Sequence, residues 1–140
     1  MYRCPGRLRD LVVVGIVALG GCITGPDAER VVGTVDPSRP SFFVTPQTVT
    51  AGQAFAVQVT TILGGCDRPG DTEVAVTTAT ATVTPFDIRN ASGPNCASVQ
   101  AFFDHSAEIT FTEAGAATIV LRARDESAQG IEVSRSVVVQ

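Results

Sequence analysis

The chain contains no tryptophan, one tyrosine, one methionine and a single histidine, His105, and all ten of its basic residues are arginine. Each shortage excludes something. Without lysine there is no side-chain amine for a Schiff base, and no phosphate-binding loop of the kind that needs a lysine. One imidazole is too few for the His-rich copper and zinc oxidoreductase sites that some β-sandwiches carry. Three of the arginines and one of the fourteen acidic residues precede Leu11, so the stretch from Cys22 onward sets seven Arg against thirteen carboxylates, a formal charge of −6. Such a stretch lacks the clustered cations that neutralise phosphates, which makes nucleic acid and anionic head groups poor partners. No window longer than a few residues shows helical spacing, so a helix-poor fold is expected.

What is present is one short apolar run. Residues 11–22 read LVVVGIVALGGC, behind Arg3, Arg7 and Arg9. The order of basic segment, apolar segment and small residues before a cut is that of a secretory signal peptide. From Leu11 to Ile23 a helix rising ~1.5 Å per residue reaches ~20 Å, short of the ~30 Å hydrocarbon core, which argues against an uncleaved span. The end of the run, Leu19-Gly20-Gly21-Cys22, resembles the lipobox of bacterial lipoproteins. That resemblance implies cleavage before Cys22, diacylglycerol on its thiol and often an acylated amino terminus; two or more acyl chains anchor stably where one does not. A cleaved signal peptide with an incidental cysteine is the competing reading. Ile23, standing where lipoproteins held at an inner membrane commonly carry Asp, implies the outer membrane if the host has one. The location expected is the bacterial cell envelope.

Beyond Cys22 the chain reads as one domain's worth of sequence. The expected organisation is a lipoprotein signal peptide over 1–21, a tether over 22–40 and a β-sandwich over 41–140. The tether is polar and broken by Gly and Pro, with one β-prone patch, Val31-Val32-Gly33-Thr34-Val35, that could add a strand and shorten the tether to Ile23–Arg30. From Ser41 the period is two: Phe55, Val57 and Val59, then Ile109 and Phe111, then Ile119, Leu121 and Ala123, then Val137 and Val139 alternate with other residues. Turn signals fall at Thr50–Gln53, Leu63–Gly65, Arg68–Asp71, Asn90–Asn95, Glu113–Gly115 and Asp125–Gly130. About seven to nine short strands of this spacing predict an all-β sandwich of two antiparallel sheets, with a closed barrel as runner-up.

Two segments carry a second resemblance. Thr45 to Val57 and Phe111 to Leu121 are similar to the opening and the later Gly corner of bacterial immunoglobulin-like domains. The whole chain also looks like small uncharacterised lipoproteins of environmental bacteria. The chain departs from the immunoglobulin-like pattern in having no core Trp and in placing Ala117 about where a Tyr often stands. Sandwich architecture is what the resemblance implies; no functional residue comes with it.

With Cys4 in the discarded segment and Cys22 as the lipid site, Cys66 and Cys96 remain. In an oxidising compartment such a pair most often forms a disulfide, here closing a loop of about 30 residues at strand ends. Neither a two-residue redox spacing nor four zinc ligands is present. Asp104-His105-Ser106 superficially offers acid, base and nucleophile, but neighbours on a strand point to opposite faces, so His105 is expected to be a surface histidine at a strand end. Nothing in the sequence selects Ser127 or Ser134 in its place. Asp67, Asp71 and Glu73, and Asp125 with Glu126, lack any calcium-ligand spacing and read as solvated loop charges. Arg122 and Arg124 read as an exposed charged strip.

No catalytic residue, metal or cofactor is therefore expected. The function expected is a lipid-anchored extracytoplasmic binding or structural module, attached to the membrane through Cys22 and meeting an envelope protein or glycan. Phe86, Phe102 and Phe103 are the candidate partner surface, and since Phe102 and Phe103 are neighbours one of them must leave the core if the segment is a strand. The alternative is an enzyme or calcium-dependent domain with a loop-borne site, for which a buried His105 bonded to a carboxylate in a cleft would be the sign.

Overall fold

The computed structural model describes residues 28–90, 96 and 99–140. The expected signal peptide and Cys22 lie outside the described residues, as do 91–95 of the loop before the second disulfide cysteine. Among the described residues there are nine strands: β1 (Glu29–Val32), β2 (Phe43–Val44), β3 (Thr48–Val49), β4 (Phe55–Gly64), β5 (Arg68–Val76), β6 (Thr80–Arg89), β7 (Gln100–Ile109), β8 (Gly115–Arg124) and β9 (Gly130–Val139). They form two sheets, so the chain is an all-β sandwich. One sheet runs β1-β6-β8-β9-β3 with β5 on the outer side of β6, and the other runs β2-β4-β7.

The period-two segments become the long strands because alternation puts one row of side chains inside. Val57 and Val59 of β4, Ala107 and Ile109 of β7, Ala81 and Val83 of β6, Ile119, Leu121 and Ala123 of β8 and Val137 and Val139 of β9 are all buried and pack as one core with Phe43 and Phe111. Burying each of the larger of these side chains stabilises by roughly 1.5–3 kcal/mol before entropy is counted. Pairing is mostly antiparallel, but β3 runs parallel to β9 and β6 parallel to β8. The sheet that contains them is therefore mixed.

Two boundaries are not those of the 41–140 domain and the Arg68–Asp71 turn, the first lying where the strand allowed for the Val31–Val35 patch would put it. Residues 29–40 belong to the folded domain: β1 pairs with the last four residues of β6, the Gly33 amide donates to the Pro85 carbonyl at 2.8 Å, and Val35 is completely buried. The segment also joins the sheets, since the Thr34 carbonyl accepts from the Ile62 amide of β4 at 2.7 Å while the Val35 amide donates to Arg124 of β8. The valines found partners distant in sequence, and burial won over the local Gly and Pro punctuation. The second difference is Arg68–Asp71, which lies within β5 as a bulge and not as a turn, the register shifting between Pro69 and Thr72. Pro69 is tolerated because β5 is an edge strand. Gly70 is required by close approach, as a Cβ there would come within 2.6 Å of the Phe86 carbonyl oxygen.

Candidate functional site

Among the described residues three polar side chains are buried, Thr61, Asp87 and His105, and they meet. His105 sits in the middle of β7 on the row of Ala107 and Ile109, and Asp87 sits on β6 in the row of Ala81, Val83 and Pro85. The expectation of a surface histidine at a strand end is thus overturned. His105 Nε2 lies 3.0 Å from Asp87 Oδ1 and its Nδ1 lies 3.2 Å from Thr72 Oγ1, while Thr61 Oγ1 stands 3.3 Å from the same carboxylate oxygen. One assignment of hydrogens satisfies all of these groups with a neutral ring. Nε2–H and the Thr61 hydroxyl donate to Asp87, and the Thr72 hydroxyl donates to Nδ1. Every buried side-chain nitrogen and oxygen among the described residues has a partner.

The cluster is sealed. The side chains of His105 and Asp87 are 2% and 6% exposed, and both ring nitrogens are already engaged. Gly33 runs directly over the group, where a Cβ would stand 2.7 Å from Thr61 Cγ2 and 3.1 Å from Asp87 Oδ2. Surface depressions lined by Val44 and Ser106, by Val32 and Ile131, and by Glu73 and Thr84 do not include it. Asp104 and Ser106 face the other way, Asp104 accepting a 2.6 Å hydrogen bond from Thr60. The hydrogen bonds of this buried group tie β4 and β7 of one sheet to β5 and β6 of the other, as a clamp would. The sequence carried a signal for it, namely a carboxylate and an imidazole each in phase with apolar residues.

The other polar candidates disperse. Arg30 stacks 3.3 Å over the Phe86 ring and bonds Asp71 and Glu73 at 2.7 and 2.6 Å. The hydrogen bond from Arg30 holds the Asp71 carboxyl below its usual range. Asp67 instead accepts from the Asn90 amide. Asp125 accepts from Ser127 and the Gln129 amide, the Ser127 hydroxyl being the main cause of its lowered pKa. Arg122 pairs with Glu132 and Arg124 donates to the Val32 carbonyl. Among the described residues no three His, Cys, Asp or Glu side chains gather as a metal would require.

A disulfide joins Cys66, in the β4–β5 turn, to Cys96 across a separation of 30 residues. Next to it begins β7, and here the apolar candidates separate. Phe102 and Phe103 are 52% and 40% exposed. Phe102 projects from the outer face under the Arg39 guanidinium, 3.8 Å from the ring centroid, while Phe103 continues the inner row and meets His105 edge-on at 5.4 Å. Phe86 is half-buried on the outer face of the opposite sheet. The three phenylalanines therefore form no common surface, because β6 and β7 turn their outer rows in opposite directions. Val99, which the sequence did not single out, is 68% exposed beside the start of β7.

No family model, curated protein or solved structure matches the chain.

Proposed function

We propose that the protein is a lipid-anchored binding or structural module of the bacterial cell envelope, with an immunoglobulin-like sandwich as its folded part. The observation that carries this reading is the sequence Leu19-Gly20-Gly21-Cys22, with only six residues between Cys22 and Glu29, where the first described strand starts. An apolar run behind a basic segment and ending in Gly20-Gly21-Cys22 is what a lipoprotein signal peptide accounts for. The disulfide supports export, since such bonds persist in oxidising compartments. The sealed state of the His105 cluster supports a module that works by its surface.

The immunoglobulin-like assignment rests on two packed sheets and on the Thr45–Val57 and Phe111–Leu121 segments. The parallel β6–β8 pair is its main departure, since immunoglobulin sheets are antiparallel. Mass spectrometry and fractionation of the wild type beside Cys22→Ala test the anchor. The wild type is expected to carry an acyl mass and to sediment with membranes, and Cys22→Ala to lose both. An unmodified, freely soluble wild type overturns the proposal.

A further inference from the structure

The domain begins at its disulfide end. Glu29 stands opposite Arg89, the last residue of β6, and the same end holds Gly64 opposite Gln100 and the Cys66–Cys96 bond. Val99, Phe102 and Phe103, three of the exposed large apolar side chains, lie within five residues there. Others, Val76 and Val138, lie at the far end, where β5 and β9 finish. Strands of ten residues separate the two ends by roughly 30 Å. The chain from Cys22 to Glu29 reaches at most about 25 Å when fully extended.

We infer that the disulfide end docks on the bilayer that carries the lipid, with Val99, Phe102 and Phe103 entering its interfacial layer. The inference deepens the proposed function and rests on the lipidation of Cys22. A short tether makes docking an intramolecular event, so a patch too small to bind membranes unaided suffices. Arg39 fits the role: its guanidinium lies 3.8 Å over the Phe102 ring, which sets its charge at head-group level when that ring enters the interface. Apolar insertion also suits an acidic domain, because it requires no attraction to anionic lipid.

The absence of tryptophan supplies the test, since one introduced indole is the only one in the chain. Full-length Val99→Trp, Phe103→Trp and Val138→Trp, each checked for acylation by mass, are placed in phosphatidylcholine vesicles whose acyl chains are brominated near the head groups. Val99 is exposed and outside the strands, so its variant folds even if Phe103→Trp disturbs His105. Emission from Val99→Trp and Phe103→Trp should shift to the blue and fall by about half or more, with Val138→Trp unaffected. An acylated protein with no quenching at position 99, or with equal quenching at 138, overturns the docking and leaves the anchor standing. A protein without an acyl mass overturns the anchor and the docking together. Cross-linking from Val99 to an envelope protein in intact cells, without quenching in vesicles, would assign the patch to that protein instead.

Discussion

The centre and the start of β7 lie in opposite environments although both interrupt a simple alternation of apolar and polar residues. At its centre a polar residue, His105, is buried with Asp87 and fully bonded, whereas at its start two aromatic residues, Phe102 and Phe103, are exposed. Burial is decided by what stands opposite. His105 faces the other sheet and finds donors and acceptors there, while the start of β7 extends past the packed layer beside the disulfide. A polar group inside and an apolar group outside thus have different consequences: the first is a matter of stability and register, the second of contact with something beyond the domain.

Breaking the buried half should have the largest effect. Asp87→Ala removes the charged acceptor shared by the His105 N–H and the Thr61 hydroxyl, leaving them only each other at 3.2 Å, and should lower unfolding free energy by about 3–5 kcal/mol. Urea denaturation measures it, and a loss under about 1 kcal/mol would show that the cluster relaxes or admits water. The disulfide comes next. Cys66→Ala with Cys96→Ala should cost ~3–4 kcal/mol on the loop-entropy estimate for a loop of this length. If reduction leaves the urea midpoint unchanged, the exposed end is not held by the bond.

Gly33→Ala tests the lid over the cluster. A methyl group pressed on Thr61 and Asp87 should destabilise by about 1–3 kcal/mol, and hydrogen exchange should quicken at Ile62 and at the position-33 amide that bonds Pro85 before it does at Leu121. Uniform acceleration would mean that the lid is part of the global unit. The smallest effect is expected at the exposed half. Phe102→Ser should change stability by no more than about 0.5 kcal/mol, since the ring packs mainly under one arginine. A much larger loss would make Phe102 a structural residue and remove it from the contact patch.

Much of the fold was legible in the chain because alternation is local. Val57 and Val59, Ile119 and Leu121, and Val137 and Val139 announced their inner faces without reference to any partner. The same alternation misled at His105, where the polar character of Asp104-His105-Ser106 outweighed its phase with Ala107 and Ile109. Arg68–Asp71 misled for a related reason, as Pro and Gly mark a turn and an edge-strand bulge with the same residues. The dispersal of Phe86 from Phe102 follows from sheet membership, which no short window contains.

By itself, the sequence determined the all-β class, the rows of core residues, the pairing available to Cys66 and Cys96 once two other cysteines were set aside, and the short apolar run ending at Cys22. Only the tertiary structure decided that β6 lies parallel to β8, that 29–35 stitches the two sheets together, and that His105, Asp87, Thr61 and Thr72 share one interior site. The physical reason is range. Side-chain alternation and turn chemistry act over a few residues, whereas those contacts bring together groups as far apart in the chain as Gly33 and Arg124, and closing such loops costs entropy that only the assembled core offsets.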